Sequence, residues 1–294
     1  MKKKKRKNSI YPLWATAPAL LIYTVFAVVP ILISLVFSFT DWNMERLYSP
    51  EFAGLKNYIG LMEDPVFLKS IANTFIFALC TTVLKTVVGF LLALALVRKV
   101  AARGVLRTIY YAPCVMSITV VGVLFKSILA NTGLLNNALS LLGMDFLTRD
   151  WLAKYGTAMG SVIFVETWMW AEFNMFIFLS GLQAIPSDYY ESATLDGANG
   201  WEKFRYVTLP LIVPSLTVVV TLSIAGGLKV FDIIYVITNG GPGFDTQVLS
   251  TYTYQSFSLG FLGESTAGSV ILAVIVTIIS FVMNRYFTQR EVEM

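Results

Sequence analysis

One apolar stretch of the chain, residues 157–182, is interrupted by groups that bind polar molecules: Glu166, Trp168, Trp170, Glu172 and Asn174. Carboxylates and amides hydrogen-bond hydroxyl groups. Flat aromatic faces cover the apolar side of a ring. Trp beside Glu therefore suits a sugar. Glu166, Trp170 and Phe173 lie four and then three residues apart, which a helix places on one face. The plainer reading is polar contact between helices. Lys85 sits in a different apolar stretch. It can pair with Glu166 or Glu172, face a watery vestibule, or snorkel. Other chemistry is scarce. His is absent, which removes the usual general base, proton relay and metal ligand. Cys80 and Cys114 sit in apolar runs and form no CxxC, so they read as buried, small apolar side chains. No GxxxxGK[ST] phosphate loop occurs, so an ATPase, if one acts, is a separate polypeptide.

The elements that position these residues are membrane helices. Of 294 residues, 56% are hydrophobic and 14% charged, with a mean hydropathy of +0.69. A soluble domain carries roughly 25% charged residues. This composition excludes an ordinary cytosolic enzyme, a disulfide scaffold and a nucleic-acid binder. Six blocks are long enough to span a bilayer: residues 13–39, 71–97, 105–129, 157–182, 209–237 and 267–287. The run Lys2, Lys3, Lys4, Lys5, Arg6 and Lys7 leads straight into the first block. It reads as an anchor beside anionic lipid. That block exceeds the roughly 7–15 residues of a signal-peptide core, so it reads as a retained span. With the N-terminus inside, Arg98, Lys99, Arg103, Arg107, Lys203, Arg205, Arg285 and Arg290 join that run on the cytoplasmic side, 14 of the 22 basic residues. Asp41, Glu45, Glu51, Glu63, Asp64, Asp145, Asp150, Asp245 and Glu264 fall outside. The expected fold is an all-α polytopic membrane protein with six transmembrane helices and both termini cytoplasmic. A basic segment 1–12 precedes a single transmembrane domain, 13–294. Outside, Leu134, Leu135, Ala138, Leu139, Leu141 and Leu142 repeat at helical spacing and predict a short helix resting on the bundle top. Asn239-Gly240-Gly241-Pro242-Gly243 predicts a turn.

The cytoplasmic segment between the fourth and fifth spans, residues 186–208, has legible local physics. Asp188 with Glu191 predicts a capping box and a helix over 189–195. Gly197 suits the left-handed residue that ends it. Asn199-Gly200 is a second turn, and 201–207 predicts another short helix. Pro210 fits the first turn of the next span. Ser192 and Ala193 would lie exposed on a helix across the membrane face.

This segment resembles the EAA loop of ABC importer permeases: Glu-Ala-Ala, three residues, Gly, nine residues, then Ile-x-Leu-Pro. The match is Glu191-Ser192-Ala193, Gly197 and Val207-Thr208-Leu209-Pro210, departing only at Ser192 and Val207. Residues 52–58, Asn73-Thr74, 178–186 and 231–242 are similar to the maltose, glycerol-phosphate and multiple-sugar group, closest to its first-permease subunits. The extra N-terminal spans and large outer domain of the maltose member are missing. The resemblance implies the type I ABC importer permease fold in a bacterial inner membrane. It implies a coupling loop containing Glu191, Ser192, Ala193, Asp196, Gly197, Leu209 and Pro210. It implies a substrate pathway at Glu166, Trp170, Phe173, Asn174, Ser223 and Gly227. The implied partners are a second permease forming a heterodimer, two ATPase subunits that use ATP and Mg, and an extracytoplasmic solute-binding protein that delivers a di- or oligosaccharide. The chain itself is expected to bind no cofactor or metal and to catalyse nothing. The alternative is an ion-coupled transporter using Glu166, Glu172 and Lys85, which leaves the loop unexplained. A third reading, a membrane enzyme or assembly factor, lacks His and a cytoplasmic acid cluster.

Overall fold

The computed structural model describes residues 16–97, 103–154 and 156–288. The basic segment 1–12, Arg98, Lys99 and Arg290 lie outside those residues. The described chain is helical, with one isolated bridge pairing Thr40 and Phe52. Helices Ala17–Phe37, Pro65–Val97, Thr157–Ala184 and Leu262–Tyr286 are long and apolar enough to cross a membrane, and two bent helix pairs raise the number to six.

The first span comprises α1 (Ala17–Tyr23), a π turn at Thr24–Val28 and α2 (Val29–Phe37). No side chain along it is buried. The π turn has a local cause. Pro30 has no N–H and its ring crowds the carbonyl four residues back, which a wider turn relieves. The short helix α3 (Lys56–Glu63) leads into α4 (Pro65–Val97), which starts earlier than the hydropathy block at 71. The third span departs most from expectation. It is α5 (Arg103–Val115) and α6 (Ile118–Ile128), meeting at 100°. Pro113 lies inside α5, and Ser117, in extended backbone, precedes α6. The run of apolar residues hid this break.

On the far side, α7 (Leu134–Leu141) forms as predicted. Only part of it rests on the bundle: Leu135 packs on the core, whereas Leu134, Leu141 and Leu142 are exposed. The fourth span, α8 (Thr157–Ala184), is unbroken. It continues through α9 (Ser187–Leu195) and α10 (Gly200–Lys203) to a second π turn, Phe204–Thr208, and α11 (Leu209–Leu211). This π turn ends two residues before Pro210, as the first ends two before Pro30. Then α12 (Val213–Leu228) leaves at 60°. The expected fifth span to residue 237 is corrected here: the helix stops at Leu228, and α13 (Asp232–Ile237) follows as a separate piece. The expected outer loop 238–266 contains a further helix, α14 (Leu249–Ser258), and the last helix, α15 (Leu262–Thr288), starts before residue 267.

The core sits where α8, α4 and α12 meet. Gly89 of α4 touches α8 so closely that a Cβ there would stand 2.8 Å from the Ala171 carbonyl oxygen. Phe90 meets Phe178 edge-on at 5.1 Å. The turn after α13 is built as its composition predicts, with Asn239, Gly240, Gly243 and Phe244 at positive φ. Asn73 Nδ2 donates to the carbonyls of Asp245 and Gln247 at 3.0 and 2.9 Å, fastening that turn to α4. Nearby, Tyr252 donates to Asp64 Oδ2 at 2.5 Å. Burial, then that hydrogen bond, pushes the Tyr252 phenol well above its ordinary value, so it stays a donor. The cysteine expectation fails: Cys80 is exposed on α4 and Cys114 half-buried, both as free thiols.

Candidate functional site

Midway along α8 a cavity of about 310 Å³ opens among α4, α6, α8, α12 and the break before α13. The 4 and 3 spacing puts three side chains on one face. Glu166, Trp170 and Phe173 all line the cavity, joined by Asn174, Ser223 and Lys85. The Trp170 and Phe173 rings stand 6.3 Å apart at 85°, making an aromatic corner. Asn174 Nδ2 donates to Ser223 Oγ at 3.0 Å, tying α8 to α12 across the cavity wall.

Lys85 resolves to one partner. Its Nζ donates to Glu166 Oε1 at 3.2 Å, both groups being buried. An unpaired charge there would be costly, and pairing fixes the carboxylate at the cavity edge. Glu172 is not part of this arrangement. It is buried off the cavity, and its Oε2 has no hydrogen-bond partner among the described residues. Gly227 lies outside the cavity lining: it seats α12 against α4, where a Cβ would meet Ala78 Cα at 2.7 Å. Sequence reasoning missed the opposite wall, Lys229, Val230, Phe231, Asp232 and Ile233. The signal was available: Lys229 and Asp232 are charges inside an apolar block, one turn past Gly226-Gly227.

The 186–208 segment lies at the other end of α8. The capping box expected at Asp188 and Glu191 is absent. The helix starts earlier, at Ser187 with Pro186 before it, which leaves Asp188 in the first turn. There its charge favours the helix dipole. The capping box occurs one element later. Asn199 Oδ1 accepts from the backbone N–H groups of Trp201 and Glu202, and Asn199 N donates to Glu202 Oε2 at 2.7 Å. Gly197 ends α9 at φ +79. Gly197 N donates to Thr194 O at 3.0 Å and Ala198 N to Ala193 O at 2.9 Å, the paired bonds of a Schellman termination. Glu191, Ser192, Asp196 and Gly197 are exposed; Ala193, expected exposed, is half-buried, as is Pro210. Leu209 is exposed. Tyr190 and Thr208 share a hydroxyl hydrogen bond at 3.0 Å, bracing α9 against the next span.

A helical bundle with a cavity at mid-depth that mixes charged, amide and aromatic groups, and with a braced polar loop at one end, suits a multi-pass transport protein. The chain belongs to the family of binding-protein-dependent transport system inner membrane components, whose model matches residues 85–292. It is 35% identical over 287 residues to the probable ABC transporter permease protein YurN of Bacillus subtilis, covering 96% of this chain and 97% of that one. It is 34% identical over 276 residues to the trehalose/maltose transport system permease protein MalF of Thermococcus litoralis, 92% of each. The fold matches a chain in the crystal structure of a bacterial ABC transporter that imports the acidic polysaccharide alginate, with TM-score 0.82, 27% identity, and coverage of 94% of this chain and 95% of that one.

Proposed function

We propose that this chain is the transmembrane subunit of an ATP-driven importer in a bacterial inner membrane, with both termini cytoplasmic, that translocates a di- or oligosaccharide received from an extracytoplasmic solute-binding protein. A second permease pairs with it, and two separate ATPase subunits hydrolyse ATP with Mg. In this reading α9 is the coupling helix, presenting Glu191, Ser192 and Asp196 to the ATPase, with Gly197 setting its angle. Ala193, Leu209 and Pro210 complete the loop, and the Tyr190–Thr208 hydrogen bond braces α9 against the next span. ATP closure draws the loops together and rocks the bundles, and hydrolysis resets them.

One observation carries the proposal: the exposed α9, fixed at Gly197 and joined by a continuous helix to a cavity with carboxylate, amide and aromatic groups. The relatives' names support the saccharide class. One solved relative is an alginate transporter in complex with a periplasmic protein bound to an alginate pentasaccharide. The test is uptake by proteoliposomes holding both permeases and the ATPase, with the binding protein outside. Uptake should need ATP and persist when the proton gradient is collapsed. Uptake driven by the gradient without ATP would overturn the proposal in favour of ion coupling through Glu166, Glu172 and Lys85.

A further inference from the structure

Beside the cavity stands a cluster of rings that the proposed transport reading leaves unused. Phe231 stacks on Tyr235, centroids 5.1 Å apart and planes at 16°. Tyr254, from α14, stands edge-on to both at 5.2 Å, with interplanar angles of 64° and 79°. Phe231 is half-buried, while Tyr235 and Tyr254 are exposed. Phe231 is a wall of two chambers. One is the inner cavity. The other is an open concavity of about 340 Å³, where Phe231, Tyr254 and Phe257 are interleaved with Ser250, Thr253 and Ser265. No Asp, Glu, Lys or Arg lines that second concavity.

Ring faces interleaved with hydroxyls match the two surfaces of a neutral pyranose. Its axial C–H groups lie on the aromatic face, and its rim hydroxyls reach polar side chains. Phe231, at the end of the α12–α13 break, is the wall that the two chambers share. We propose that Phe231 and Tyr254, held in place by Tyr235 packed against them, form a second saccharide station. An oligosaccharide then holds one sugar unit in the inner cavity while another rests on the cluster. The inference depends on the transport reading above and adds to it a preference for chain length and for uncharged units.

The probes are malto-, cello-, xylo- and arabino-oligosaccharides of increasing length, offered to proteoliposomes of the intact complex with its binding protein. For the series the wild type transports, Tyr254→Ala and Tyr235→Ala should raise KM for four-unit and longer members by about threefold to tenfold. The disaccharide should be affected far less, and Tyr254→Phe should behave as wild type. An effect equal at every length, or none, overturns the station. Loss of the second permease from the purified Ala variants also overturns it, because the cluster is then a subunit contact. If the wild type transports no saccharide of any series, the transport reading itself fails, a result distinct from either.

Discussion

Lys85 and Glu166 reach each other across 81 residues of sequence and are both almost wholly enclosed. Removing one partner strands the other charge in an apolar bundle. Lys85→Met should therefore destabilise the folded protein by about 3–5 kcal/mol, read as a lowered unfolding temperature in detergent. The double variant Lys85→Met/Glu166→Gln should recover most of that loss. Additive losses would show that the pair does not couple. Gly197 carries a different kind of cost. It has open space around it and φ +79, so Gly197→Val meets no clash, only left-handed backbone strain of about 1–2 kcal/mol. The variant should assemble normally yet lose uptake while its complex still hydrolyses ATP; sugar-stimulated uptake at the wild-type rate would remove Gly197 from coupling. Both residues were legible in the sequence, one as a misplaced charge and one as a turn former. Gly227 was not, because periodicity assigns a face of a helix without saying whether that face meets a cavity or another helix.

Helix α4 meets α8 through Gly89, and no larger residue fits there without moving the Ala171 carbonyl. Gly89→Ala should lower the unfolding temperature. Gly60→Ala on α3, where nothing lies within 4 Å of an added Cβ, should be neutral or slightly stabilising. Equal responses would show that the α4–α8 approach is not tight. Six apolar blocks were readable because each follows from length and hydropathy alone. The bends were not. Of residues 116–117 and 229–231 only Ser117 and Lys229 are polar, so hydropathy averaged over a span runs through both breaks. Prolines told more: both π turns precede one. The misplaced capping box has the same origin. Asp188 and Asn199 each precede a Glu by three residues, and Pro186 decided which pair caps a helix by starting α9 early.

Across the whole molecule, the two ends of α8 carry different features, and the proposed orientation puts α9 in the cytoplasm. That orientation is open to direct measurement. In a background with Cys80 and Cys114 replaced by Ser, Ser192→Cys should react with a membrane-impermeant maleimide only from the cytoplasmic side. Leu141→Cys, 89% exposed on α7, should react only from the other. Labelling of both from one face would overturn the six-span topology.

Helix α8 is a single rod of 28 residues, about 42 Å long, held near its middle by the notch at Gly89. Mechanically that is a lever with a fulcrum. One tip, Ala184, leads through Pro186 into α9, and the other begins at Gly156, whose N–H is held by Asp245 Oδ2 at 2.8 Å. A tilt of about 10° about the notch swings the two tips about 3–4 Å in opposite directions. A stroke of that size on one side of the bilayer becomes a gape of similar size on the other.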